Sequence, residues 1–249
     1  MKHIFTSKRI FTFLLSLIII ISCSSCVNTG RSSSSKTFIP SSLTETQIPS
    51  LSDNLSENDE PVKEESLKEY KAVLQNNREF FNIEDNESMD INHYIDSMKD
   101  KTGVSVRIMK FSVIDLDADG SEEIILWEQA NENEYFGFLI LHYHDEAVYG
   151  YFMNYRGFYN LKNDGTFSFS GGAMDSGFGT AVFHEMEFLT EKIAYSQSSY
   201  DSGNNLTVSF HINGDSTTQE KFNDILVIQD EKPDVTWYDF TEENIESTF

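Results

Sequence analysis

The feature that most constrains the fold of this chain is a series of short apolar or alternating segments between Val104 and Ile212. Such segments are typical of β-strands whose side chains point alternately to two faces of a sheet. They are joined by short turns, such as the one at Asn163-Asp164-Gly165, and no helical pattern lies between them. Because parallel strands require long crossover connections, the middle of the chain predicts an antiparallel β-meander.

Helical patterns flank this β-rich region. An apolar stripe at helical spacing predicts an N-terminal helix from about Pro61, and a second, shorter helix is predicted over 90–99; the stripe consists of Leu67, Tyr70, Val73 and Leu74. Near the end of the chain, Thr217 and Thr241 predict the N-caps of two further helices. The predicted class is α+β, with an N-terminal helix, an antiparallel β-meander sheet and two C-terminal helices. The grouping of the strands argues against a two-lobed solute-binding protein, which needs helices between its strands.

The first 22 residues predict a lipoprotein signal peptide. A basic start is followed by the apolar segment from Phe11 to Ile21, which is too short to span a bilayer. The segment ends in IISC (Ile20 to Cys23), which resembles the bacterial lipobox. This resemblance implies that Cys23 becomes the lipidated first residue and that the protein is anchored to the extracellular face of the cell membrane. An ordinary secretory signal that is cut nearby is the alternative.

A tether and one folded domain are predicted after the leader. Between Val27 and Glu60, Ser and Thr occupy 13 positions without apolar periodicity, so residues 23–60 are predicted to be a disordered tether that begins at the lipidated cysteine. Residues 61–249 have the length of a single extracellular α+β domain. The two cysteines of the chain, Cys23 and Cys26, both precede this domain, which therefore has no disulfide, thiolate metal site or thiol nucleophile.

The charge of the chain narrows the range of partners. Lys and Arg number 18 against 41 Asp and Glu, which gives a net charge of −23. Such a charge repels nucleic acids and anionic lipid headgroups, so we expect no nucleic-acid partner and contact with the membrane through the lipid anchor only. The expected partner is a protein, a peptide or a cell-wall glycan.

The segment DLDADGSEE, which begins at Asp115, has the spacing of a calcium loop. Asp115, Asp117 and Asp119 occupy its positions 1, 3 and 5, Gly120 lies at position 6, and the predicted ligands are completed by the Ser121 carbonyl and Glu123. Position 12 of an EF-hand would be Leu126, which cannot bind a metal, and the flanking segments are predicted strands. The pattern instead resembles the strand–loop–strand calcium hairpins of FG-GAP-type repeats, in a single copy. Several carboxylates on one loop favour calcium over magnesium, and a solvated acidic turn is the alternative.

A second resemblance covers most of the domain. The order of an N-terminal helix, the segment FSVIDLDADGSEEIIL, aromatic strands and the late segment WYDFTEENI is similar to a broad group of surface lipoproteins from Gram-positive gut bacteria. Many members carry a D-x-D-x-D-G-x-x-E-L hairpin, in which Ile124 replaces the usual Leu here. The resemblance implies the fold and the location rather than an activity.

No catalytic residue is predicted, because the sequence contains neither G-x-S-x-G nor H-E-x-x-H. His142 and His144 alternate on one predicted strand and could bind zinc if His184 or His211 joined them in space. The first functional hypothesis is a membrane-anchored binding module with one calcium hairpin. The alternative is a surface hydrolase, for example one that acts on glycans through a pair of carboxyl groups.

Overall fold

The structure is a computed structural model, and it describes residues 59–131, 134–184 and 186–249. The helices are α1 (Asp59–Leu74), α2 (Ile91–Thr102), α3 (Gln219–Glu231) and α4 (Glu242–Thr248). The strands are β1 (Phe80–Asn82), β2 (Glu87–Met89), β3 (Val106–Ile114), β4 (Glu123–Ala130), β5 (Glu134–His144), β6 (Ala147–Asn154), β7 (Phe167–Ser170), β8 (Ser176–His184), β9 (Glu187–Tyr200), β10 (Leu206–Ile212), β11 (Asp215–Thr217) and β12 (Tyr238–Asp239). The predicted α+β class is confirmed.

The predicted signal peptide (1–22), the predicted lipid anchor Cys23 and nearly all of the predicted tether (23–60) lie outside the described residues. Helix α1 begins at Asp59, two residues before the predicted start at Pro61. Within the described part of the chain, no helix combines the length and the apolar character needed to cross a membrane.

The strands form two sheets instead of the single meander that we expected. The larger sheet has seven strands in the order β12-β3-β4-β5-β6-β1-β2, and the smaller has five in the order β11-β10-β9-β8-β7. Neighbouring strands are antiparallel except for β1 and β6, which pair in parallel. The meander divides at the turn region 155–166: strands β1 to β6 form the larger sheet and β7 to β11 the smaller one, and only the short β12 returns to the larger sheet, where it pairs with β3.

The larger sheet is buried on both faces at its centre, where β4 and β5 pair. Leu126 and Leu139 lie opposite each other and pack beneath α1, α2 and α4, together with Tyr70, Tyr94 and Ile245. The next pair, Ile125 and Ile140, points to the other face and packs against a second core, which includes residues of the smaller sheet. Burial on both faces explains why these strands read as continuous apolar runs.

The C-terminal helices differ in how well local sequence predicted their starts. The Thr241 side chain accepts a hydrogen bond from the Asn244 amide, which confirms it as the N-cap of α4. The predicted cap of α3 at Thr217 is wrong by one residue, because Thr217 belongs to β11 and the hydroxyl of Thr218 accepts from Lys221 N–H instead. Helix α3 covers the smaller sheet, with Phe222 packed against Phe178 and Ala194.

Candidate metal centre

The acidic loop connects β3 and β4, the second and third strands of the larger sheet. Ile114 pairs with Glu123, so the intervening residues 115–122 form one closed hairpin loop, as the sequence predicted. Gly120 has a φ of 95°, the left-handed conformation expected at position 6 of a calcium loop. Ala118 has a φ of 61°, which costs a residue with a Cβ about 1 kcal/mol and was not predicted. The backbone is therefore folded tightly around the carboxylate side chains.

Hydrogen bonds from the backbone of the loop hold the aspartate side chains. The two carboxylate oxygens of Asp115 accept from Asp119 N–H and Gly120 N–H, each at 3.1 Å. Asp117 accepts a longer bond of 3.3 Å from Asp119 N–H, and Asp119 in turn accepts from Ser121 N–H at 2.7 Å. These bonds fix the direction of each carboxylate before any ligand binds.

Three of the five predicted ligands converge. One carboxylate oxygen each from Asp115, Asp117 and Glu123 lies within 4.8 Å of the other two. Two oxygens bound to the same calcium ion at about 2.4 Å can be at most about 4.8 Å apart, so the spacing of the three oxygens is compatible with a shared ion. The other two predicted ligands, Asp119 and Ser121, belong to the same loop but not to this group of converging oxygens. The Asp119 carboxylate instead accepts a hydrogen bond from Ser121 N–H.

Glu123 is the buried member of the group, with no exposed surface. Its Oε2 accepts a 2.8 Å hydrogen bond from Leu116 N–H, and its Oε1 lies 3.0 Å from His142 Nδ1. Burial raises the pKa of Glu123 to about 9, and the charge of Asp117 adds to this effect. Burial also lowers the pKa of His142. Although the distance between them would suit an ion pair, Glu123 and His142 therefore form a neutral hydrogen-bonded pair at pH 7.

The electrostatics of the loop favour a bound cation. Burial raises the pKa of Asp117, and the negative charge of Asp119 raises it further, while the hydrogen bond from Asp119 N–H lowers it. A divalent cation would reverse these shifts, because it stabilises the ionised form of every carboxylate that it contacts. The residues thus fit a hard cation in the chemistry of their donors and in their spacing.

The paired histidines of β5 form one wall of a cavity of about 350 Å³ beside the loop, and Asp117, Asp119 and Ser121 form another. The His142 ring is stacked on Phe183 at 4.0 Å between centroids, while His144 is exposed and lies 3.5 Å from Asp145. Among the described residues, neither His184 nor His211 joins them in a cluster of three possible metal ligands, so the residues do not assemble the zinc site considered above.

The contact between His142 and Glu123 was missed from the sequence. The two residues are 19 positions apart, and they meet because β4 and β5 are adjacent and antiparallel. The signal that could have revealed it is the polar His142 in the otherwise apolar segment FLIL-H, since a buried polar side chain needs a polar partner.

Comparison of the chain with protein-family models, with curated proteins and with solved structures finds no match. The functional conclusions below therefore depend on the residues and their geometry.

Proposed function

We propose that the protein is a membrane-anchored extracellular lipoprotein that acts as a binding module and carries one calcium ion in the loop 115–123. The observation that carries the metal part is the convergence of the Asp115, Asp117 and Glu123 carboxylates within 4.8 Å. Asp119 and the carbonyl of Ser121 are available on the same loop to complete the coordination. Calcium is favoured because it accepts six to eight oxygen ligands in flexible geometry, whereas magnesium requires a small octahedral shell and retains water.

The role proposed for the calcium ion is structural. Its ligands end β3 and begin β4, the second and third strands of the seven-stranded sheet. An ion bound there would connect the two strands and offset the repulsion between the carboxylates. The ion would also order the loop beside the contact between α1 and β5. At that contact, the Tyr70 hydroxyl of α1 accepts a 2.7 Å hydrogen bond from Tyr143 N–H.

The geometry of the loop does not favour the hydrolase alternative at this site. A general acid must reach the substrate with a proton, and the raised pKa of Glu123 would suit that role. Glu123, however, is fully buried, so a substrate cannot reach its carboxyl group, whereas one of its oxygens lies within 4.8 Å of the Asp115 and Asp117 carboxylates. The proposal therefore assigns Glu123 to metal binding and not to catalysis.

The location on the cell surface is proposed from the leader sequence, with Cys23 as the lipid anchor and residues 23–60 as the tether. The negative charge of the chain supports partners other than nucleic acids. Labelling of cells with a radioactive or clickable fatty acid tests the anchor: incorporation should be lost in Cys23→Ser and retained in Cys26→Ser. Incorporation that survives Cys23→Ser would contradict the assignment.

Thermal unfolding of the full chain tests the metal part. We expect millimolar calcium to raise the melting temperature relative to chelator in the parent protein, but not in the double variant Asp117→Ala, Asp119→Ala. Asp201→Ala is the matched control, because Asp201 also accepts backbone hydrogen bonds in a hairpin turn, from Gly203 and Asn205, outside the acidic loop. An equal calcium response in all three proteins would refute the site.

A further inference from the structure

A second cavity, of about 370 Å³, lies away from the acidic loop. Tyr135 at the start of β5 lines it, whereas His142 beside the acidic loop lies near the end of the same strand. We name this cavity the aromatic cleft. Its aromatic lining residues are Trp127, Tyr135, Phe138, Tyr155, Tyr159 and Trp237.

The rings of the aromatic cleft form a continuous row that spans β4, β5 and the turn that follows β6, with Trp237 immediately before β12. Trp127 and Tyr135 are stacked with centroids 5.7 Å apart, and Tyr135 and Tyr155 are stacked at 5.0 Å, both nearly parallel. Trp237 closes one end of the row against Trp127 at 5.5 Å, and Tyr159 is inclined by 39° to Tyr155 at the other end. The row thus presents to solvent the edges of the stacked rings and the parts of their faces that the neighbouring rings leave uncovered.

The centre of this row is exposed. Tyr135 retains 58% of its accessible surface and Tyr155 retains 40%. Single exposed aromatic residues are common, but a contiguous row of them beside a cavity is typical of a binding surface, since burial by a ligand would be favourable. Tyrosine and tryptophan also combine a large apolar area with a polar group and few rotatable bonds.

Two polar side chains at the rim of the cleft are held in place by their neighbours. Asn160 donates a 3.1 Å hydrogen bond to Asp230, and Asp234 accepts a 2.7 Å hydrogen bond from the buried ammonium of Lys162. Among the described residues, no hydrogen bond reaches the Asn160 Oδ1 or the Asp234 Oδ2 atom, so both are available as acceptors. The cleft therefore combines an apolar aromatic surface with oriented oxygen atoms.

We propose that the aromatic cleft binds a neutral oligosaccharide. A pyranose ring has an apolar C–H surface that packs on aromatic rings and a rim of hydroxyl groups that donate to amide and carboxylate oxygens. This inference specifies the ligand of the binding module in the proposed function and rests on that function. The net charge of −23 opposes the approach of acidic polysaccharides, which is why the ligand is assigned as neutral.

Two other ligand classes fit the aromatic cleft less well. A quaternary ammonium group binds best where the faces of several rings surround it, whereas Trp127, Tyr135 and Tyr155 are stacked in a nearly parallel row. The rim carboxylate of Asp234 is also already paired with Lys162. A proline-rich peptide docks its rings into gaps between aromatic side chains. The stacking of Tyr135 on Tyr155 at 5.0 Å closes that gap at the most exposed part of the row.

Tryptophan fluorescence can report on this cleft alone, because the only two tryptophans of the chain, Trp127 and Trp237, both line it. The full chain, purified in a mild detergent with calcium present, would be titrated with neutral hexasaccharides of glucose, N-acetylglucosamine, mannose, galactose and xylose. Decaproline and choline would be titrated in parallel. We expect at least one hexasaccharide to change the emission saturably, and neither of the other two probes to do so.

Substitution of the exposed rings tests the assignment to the cleft. The double variant Tyr135→Ala, Tyr155→Ala should weaken binding of the active hexasaccharide by about tenfold or more. Tyr200→Ala is the matched control, since Tyr200 is 70% exposed at the end of β9 in the other sheet, and it should bind as the parent does. Circular dichroism spectra of both variants check that the fold is retained.

The proposal is overturned if none of the five hexasaccharides changes the emission, if decaproline or choline changes it instead, or if the double variant binds equally well. Calcium titrations on the same samples separate this inference from the proposed metal site, because either can fail while the other succeeds. Mass spectrometry of the hexasaccharide after incubation tests the remaining part of the proposed function. Recovery of the intact sugar supports a binding module, whereas cleavage would support glycan recognition but overturn the non-enzymatic role.

Discussion

Glu128 should make the protein less stable as the pH rises. This residue lies in β4 opposite Gly137, has no exposed surface, and neither carboxylate oxygen has a hydrogen-bond partner among the described residues. The buried Tyr94 hydroxyl is a polar neighbour of this carboxylate, but their contact falls outside the geometric limits of a good hydrogen bond. Burial raises the pKa of Glu128 from 4.5 to about 8, because a charged carboxylate in the core is costly, and the contact with Tyr94 lowers the pKa only in part.

The sign of the effect follows from proton linkage. Between pH 4.5 and about 8 the folded state retains the proton of Glu128 while the unfolded chain has released it, so unfolding becomes more favourable as the pH rises. At 1.36 kcal/mol per pH unit, the loss is about 3 kcal/mol at pH 7 and about 5 kcal/mol above pH 8. For a domain of this size, 3 kcal/mol corresponds to a decrease of about 6–12 °C in melting temperature.

The substitution Glu128→Gln removes this titration and keeps the shape of the side chain. Urea unfolding followed by circular dichroism at pH 5, 6, 7 and 8, with chelator present throughout, measures the difference in unfolding free energy between parent and variant. We expect this difference to change in favour of the variant by about 1.4 kcal/mol per pH unit. Any fixed cost of burying the amide shifts all four values equally and leaves the slope unchanged.

Glu87→Gln, in the exposed β2 position, is the matched control and should follow the parent at every pH. A difference between parent and Glu128→Gln that does not vary with pH would refute the reasoning. It would mean that Glu128 is ionised in the folded protein and is stabilised by a group that the structure does not place beside it.

Two further predictions concern packing and charge. A Cβ at Gly177 would overlap the carbonyl oxygen of Ala194 on the paired strand, so Gly177→Ala should lower the unfolding free energy by about 1–3 kcal/mol. Gly171→Ala is the control and should change it little, because the nearest atom to a Cβ there is 3.9 Å away. Urea unfolding measures both variants, and equal effects would contradict the strand pairing. Asp234→Ala should destabilise the protein more than Lys162→Met does, by about 1 kcal/mol, because the first change leaves the buried ammonium with only the Asp230 carbonyl as its acceptor and the second removes the buried charge itself. Thermal unfolding that ranks the two variants in the opposite order would contradict this account.

The parts of the fold that could be predicted from sequence are those that short segments determine. The β3–β4 hairpin follows from two apolar runs around an Asp-Gly loop, and the start of α4 follows from the hydroxyl of Thr241. In both cases the interacting residues lie within about ten positions of each other, so a local pattern contains the whole signal.

The parts that could not be predicted depend on contacts between distant segments. β1 pairs in parallel with β6, although nearly 70 residues separate them, and no local pattern specifies that partner. The aromatic cleft likewise needs Trp127 and Trp237 to meet across 110 positions. Each aromatic residue alone is equally compatible with a core, and Trp237 reaches Trp127 through the return of the chain to the larger sheet at β12.

Isothermal titration calorimetry of the full chain with calcium, at about 0.15 M salt to screen the diffuse negative charge, tests the central claim most directly. The account predicts one calcium ion per chain with a Kd of about 10⁻⁴–10⁻³ M, weaker binding of magnesium, and no specific binding to Asp117→Ala, Asp119→Ala. Asp201→Ala should bind calcium as the parent does. Undiminished binding to the double variant, or no saturable binding to the parent, would contradict the claim and leave the loop as a solvated acidic turn.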